Sequence, residues 1–276
     1  MNAVFSLILA SALLMSAPSH AKKARHMPSR KIIYSFAEVK NFLTPGCLVC
    51  IDVDDTLSQH RHLGGVGWQK QRMEYLQEHR MSCQAAKRRM LRESAAISTF
   101  LPKDLLEKEI PIHIQELVDN SDIFLMGMSS KGLESVPVVM STLYQQGIDF
   151  DTRPLFPEDF FLVPRQELSA SGVFTDGVLF CGGFTETEAF TELWLRKSPS
   201  IRRVVFVHGD PAVVQDMEKV AKALSLSYTG LVYYPAAETV FSFSPPYSTA
   251  VAMQSETALK VLPDDLAAKA LAMLEE

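Results

Sequence analysis

Four short apolar runs separated by amphipathic segments constrain this chain more than any other feature. Leu48–Val53, Ile123–Met128, Val204–Val207 and Leu231–Tyr234 lack the polar alternation of a strand with one wet face. Phe36–Phe42, Glu134–Gln146, Thr185–Arg196 and Ala212–Leu224 have helical spacing. Buried strands alternating with helices predict an α/β fold with a doubly wound, mostly parallel sheet. Phe160–Val163 and Gly172–Cys181 read as further strands, the second carrying Asp176-Gly177, a hairpin signal. Ligands of such sheets bind beyond the carboxyl ends of the strands, so the residues just after each run are the informative ones.

The rest of the chain organises around that sheet. Val4–Ala17 is an apolar run too short to span a bilayer, and Ser19-His20-Ala21 places small residues at positions −3 and −1 of a cleavage site. Residues 1–21 are therefore expected to act as a signal peptide. The chain is expected to be exported, to the periplasm or beyond it, with no stable membrane span after cleavage. Lys22–Arg30 is a polar lead-in. Residues 22–57 and 121–276 are expected to form the core, and the helical stretch 58–120 a cap inserted into it. Within that stretch Gln69–Leu91 is one long helical pattern, and Gly64-Gly65-Val66-Gly67 reads as a hinge entering it. Phe241–Tyr247 reads as an extended surface segment and Asp264–Leu274 as a terminal amphipathic helix.

Charge and cysteine content narrow the function classes. The net charge is −5 with no long basic cluster, which argues against a nucleic-acid partner. Cys47 and Cys50 form a CxxC, but they lie three apart on a strand and so point to opposite faces; both read as core.

Chemistry concentrates after the first run. Asp52 and Asp54 leave a buried strand two residues apart, which is costly unless they are paired, protonated or bound to a cation. Asp52 then suits a carboxylate nucleophile, Asp54 an acid and base, and Thr56 a hydroxyl that holds the turn. An acidic turn capping a helix is the plainer reading of the same residues.

The segment CLVCIDVDDTL, Cys47–Leu57, resembles the first motif of the haloacid dehalogenase superfamily in the form shared by secreted acid phosphatases. The wider layout is similar to an uncharacterised group of exported bacterial members. The resemblance implies an aspartyl-phosphate intermediate on Asp52, with Asp54 as acid and base. It also implies Mg²⁺ held by Asp52, by Asp54 through its backbone carbonyl, and by Asp210 of Gly209-Asp210. IFLMGMSSKG matches the second motif, with Ser129 bonding the phosphoryl group. Thr56, Ser130 and Lys131 are expected along the substrate. The implied function is a Mg²⁺-dependent phosphohydrolase acting on a small phosphate ester.

Two places depart from that pattern. Where the family sets a cation before the fourth motif, this chain has Thr185, Glu186 and Thr187; Arg196 and Lys197 lie roughly three helical turns away. Read against the paired-acid form of the fourth motif, His208 and Gly209 replace the acids. A cation from the cap, such as Arg88 or Arg89, could supply the missing charge. The alternative is a degenerate member of the fold that binds a ligand or a protein partner without turnover.

Overall fold

A computed structural model describes residues 30–60, 66–100, 103–152, 154–163, 171–197 and 200–237. The expectations for the signal peptide, Phe241–Tyr247 and the terminal helix lie outside them. In chain order the strands are β1 (Arg30–Ile33), β2 (Cys47–Asp52), β3 (Ser58–Gln59), β4 (Asp104–Leu105), β5 (Phe124–Ser129), β6 (Phe160–Leu162), β7 (Gly172–Thr175), β8 (Val178–Phe180), β9 (Arg203–His208) and β10 (Ser227–Tyr233). The helices are α1 (Val66–Glu78), α2 (Cys83–Phe100), α3 (Ile110–Asp119), α4 (Val136–Gln145), α5 (Glu186–Lys197) and α6 (Pro211–Ala223).

Eight strands form one sheet in the order β1-β10-β9-β2-β5-β8-β7-β6. The six from β1 to β8 in that order pair in parallel, and β7 and β6 close the far edge as antiparallel strands. The four apolar runs supply β2, β5, β9 and β10, as their composition predicts. Alternation along β2 sends Cys47, Val49 and Ile51 into one core, with α3 and α4 residues such as Ile114 and Leu143. Leu48 and Cys50 enter the other, with Phe190 of α5 and Met217 of α6. Helices thus cover both faces, the doubly wound arrangement. Cys47 and Cys50 sit in separate cores as free thiols.

Three local features differ from the sequence expectation. Arg30, assigned to a lead-in, begins edge strand β1; RKII is too short and too charged to signal a strand by itself. The pattern over Gln69–Leu91 is broken into α1 and α2 by a turn at residues 79–82. Arg80 adopts φ 64° there, and the Met81 amide bonds back to the Leu76 carbonyl. That is a left-handed helix cap made without glycine, so no residue announces it. Finally, α3 lies inside the stretch 58–120, yet its Ile110, Ile114, Leu117 and Val118 join the main core. The two helices before it carry a small core of their own, built on Trp68, Leu76, Ala86 and Met90. Antiparallel β3 and β4 bracket that helical pair at its base.

Two turns follow the sequence closely. Gly147 closes α4 at φ 74°. Asp176 and Gly177, at φ 49° and 73°, form the two-residue turn between β7 and β8, the backbone expected of Asp-Gly. A Cβ on Gly177 would stand 2.2 Å from the Phe150 carbonyl oxygen. Gly177→Ala is therefore expected to destabilise the fold by about 1–3 kcal/mol, read as a lower urea midpoint with an unchanged slope.

Candidate functional site

The parallel register gathers the informative residues on one edge. β2 pairs with β5 on one side and β9 on the other, so Asp52, Ser129 and His208 are the last residues of three adjacent strands. Glu186 begins α5, shortly after β8 ends. The chain leaves β2 through a tight turn in which Asp55 adopts φ 59° and the Leu57 amide reaches the Val53 carbonyl. The turn brings Thr56 back to the strand end. Its hydroxyl donates to Asp52 Oδ2 at 2.6 Å and accepts from the Gly209 amide at 3.0 Å. Buried Thr56 thus ties the first strand end to the β9 loop. Both of these bonds position Asp52.

Two clusters of charge flank this turn. In the first, Asp54 Oδ1 receives both Lys103 Nζ at 3.0 Å and Lys131 Nζ at 3.1 Å, while Ser129 Oγ donates to Oδ2. All three charged side chains are more than nine-tenths buried. Burial alone would raise the Asp54 pKa; the two ammonium groups and the Ser129 hydroxyl outweigh it and hold the carboxyl well below the usual range. The lysines respond differently. Burial works against the charge on Lys103, but Asp54 and Asp55 prevail and raise its pKa. Lys131 is lowered, first by burial and then by the nearby Lys103 charge, against the pull of Asp54.

In the second cluster, Asp52 Oδ2 faces His208 Nε2 at 3.6 Å, and Glu186 Oε2 lies 3.1 Å from the same nitrogen. Burial raises the Asp52 pKa well above that of an ordinary carboxyl. His208 and Thr56 oppose the shift, while the Glu186 and Asp54 charges add to it. Burial disfavours a charged His208 ring, but the Asp52 and Glu186 charges outweigh it and raise its pKa to about 9. The Asp210 amide, 2.7 Å from Nδ1, works against a second proton on that nitrogen. The carboxylates' attraction therefore falls on the Nε2 edge.

The structure brings Asp52, Asp54, Thr56, Ser129 and Lys131 into this region, and leaves two nominated residues apart. Asp210 is exposed and caps α6, its Oδ1 accepting from the Ala212 amide at 2.7 Å. Ser130 is exposed beside buried Ser129. Among the described residues of 58–120, the cation that reaches the site is Lys103, not Arg88 or Arg89. Arg89 is engaged by Glu93 at 2.9 Å, which also holds buried Arg72. Lys103 carries no motif and follows Pro102 by one residue, so only the pairing of β4 with β3 reveals it. Glu186 and His208 depart from the resembled pattern, and their contact is invisible in the sequence because 21 residues separate them.

A model of the family described as "Protein of unknown function (DUF2608)" matches residues 32–268, a span that holds both clusters. The chain belongs to this family. No curated protein matches it. Among the described residues, no helix is long and apolar enough to cross a membrane.

The donors do not fit the Mg²⁺ site implied by the sequence. Asp210, the acid expected to complete it, points into its own helix cap instead. Asp52, Glu186 and His208 each offer an atom within 4.8 Å of the others'. However, Mg²⁺ selects oxygen donors, and the imidazole of this trio turns a protonated edge inward.

Asp54, kept ionised by its partners, makes the fold acid-sensitive. A carboxyl with a depressed folded pKa contributes stability above its unfolded value of about 4 and loses it as pH falls toward the folded value. Asp54→Asn is expected to destabilise the protein near pH 7. Urea denaturation across pH should show the gap between variant and wild type narrowing below about pH 4.

Proposed function

We propose that this chain is a phosphohydrolase that cleaves a small phosphate ester through an aspartyl-phosphate on Asp52. The observation that carries the reading is the convergence of Lys103, Lys131 and Ser129 on one anionic group beside Asp52. Three buried donors around a single carboxylate form a ready receptor for a phosphoryl group, whose charge is spread over several oxygens. They also supply the positive charge that Glu186 does not.

Asp52 Oδ2 is anchored by Thr56, and Oδ1 has no hydrogen bond among the described residues. In the proposed reaction Oδ1 attacks phosphorus, the ester P–O bond breaks, and the leaving oxygen takes a proton. Asp54 holds none while the lysines clamp it. A bound phosphoryl group competes for those ammonium groups and loosens their grip on Asp54. Lys131, whose pKa is lowered by burial and by Lys103, is the better placed of the two lysines to give up a proton. Water then attacks the aspartyl-phosphate and releases phosphate, restoring Asp52.

A second reading, binding without turnover, draws on Glu186: its carboxylate beside Asp52 repels a phosphate and makes the nucleophile harder to ionise. Phosphate release from a generic aryl phosphate separates the two. Asp52→Asn is expected to lower the rate by roughly 10³-fold or more, and Lys103→Met by roughly 10²-fold with the fold retained by circular dichroism. Equal inactivity of wild type and Asp52→Asn across a broad panel of phosphate esters would remove the enzyme reading.

A further inference from the structure

His208 occupies an unusual position for a group between two carboxylates, and its neighbours fix where its proton lies. The Asp210 amide stands 2.7 Å from Nδ1, and a backbone amide always brings a hydrogen. Nδ1 is thus the acceptor, and the ring proton is on Nε2. Turning the ring by half a revolution would set a C–H against that amide and carry Nε2 away from Glu186 and Asp52. The observed orientation accepts from the Asp210 amide and keeps Nε2 within 3.1 Å of Glu186 and 3.6 Å of Asp52.

Glu186 Oε2 is buried and accepts no hydrogen bond of linear geometry, although it lies 3.1 Å from Nε2. Asp52 Oδ2, 3.6 Å from the same nitrogen, already accepts from Thr56. The Nε2 edge therefore lies near both carboxylates without a hydrogen bond to the Glu186 oxygen. A buried pair of acids with a gap between them resembles a divalent-cation site, and the spacing of the three side chains suits one. The tautomer opposes it. An imidazole that ligates a metal through Nε2 carries its proton on Nδ1 and gives it to an acceptor. Here Nδ1 meets a donor.

We infer that the Nε2–H of His208 takes the place of a divalent cation between Asp52 and Glu186, so that this half of the site works without a metal ion. His208 is a positioning residue in this arrangement. Its N–H edge offsets the charge at Asp52 Oδ2 and at Glu186, and Asp52 Oδ1 stays clear of both. The inference concerns the ion and not turnover, so it stands or falls separately from the phosphohydrolase reading.

The test uses the full chain and Mn²⁺ alone as the probe. Electron paramagnetic resonance and calorimetry should show no binding that depends on His208 at about 1 mM ion. Long-range ¹H–¹⁵N correlations of the histidine rings should show His208 protonated on Nε2. His208→Asp replaces the N–H edge with a third carboxylate and is expected to gain Mn²⁺ affinity by roughly tenfold or more. His208→Asn, which keeps an N–H donor, should not. Protonation on Nδ1 would overturn the inference, as would Mn²⁺ binding to wild type that disappears in His208→Ala. Should His208→Asp fail to fold, the wild-type titration and the ring nitrogens decide the matter by themselves.

Discussion

Two carboxylates leave a strand that is buried on both faces, and the rest of the site is a response to that. A charge taken out of water costs several kcal/mol unless something of opposite sign meets it. Asp52 and Asp54 have separate partner sets. The fold meets the cost twice. Asp54 receives two ammonium groups and a hydroxyl; Asp52 receives a hydroxyl and an imidazole edge, with a third acid close by. One carboxyl is driven down in pKa and its neighbour up, the separation that acid–base sites employ.

The partners come from widely separated segments, and the parallel sheet makes that arrangement work. Ser129 ends β5 and Lys131 follows it, His208 ends β9, and Glu186 opens α5 after β8. Each reaches the same edge because β2 lies between β5 and β9. Lys103 arrives by another route, at the point where the α1–α2 pair returns to the core through β4. The helical pair has its own small core and touches the site through that junction. A displacement of the pair would shift Lys103 relative to Lys131, which belongs to the main sheet.

Much of the fold was legible in the residues. Continuous apolar runs gave β2, β5, β9 and β10; Asp176-Gly177 gave a hairpin; Thr185 and Gly147 marked a helix start and a helix end, and the structure has both. What escaped notice had no local signature. β1 is four residues with a charged start, and the break at Arg80 is a left-handed cap made without glycine. In the site, Asp52, Asp54 and Ser129 could be nominated because each ends or follows an apolar run. Asp210 was nominated on the same ground and sits elsewhere, because a residue at a strand end serves a helix cap as readily as a ligand.

The sequence by itself determined the alternation of buried strands and amphipathic helices, and therefore which edge of the sheet would carry chemistry. It also determined that two acids would stand there, since no register of that strand hides them. Only the tertiary structure decided who answers their charge. Lys103 is a lone lysine after a proline, and Glu186 and His208 look like losses when each is read alone. Placed 3.1 Å apart they become a pair. Side-chain charge acts through space over a few ångströms, whereas sequence spacing records only distance along the chain.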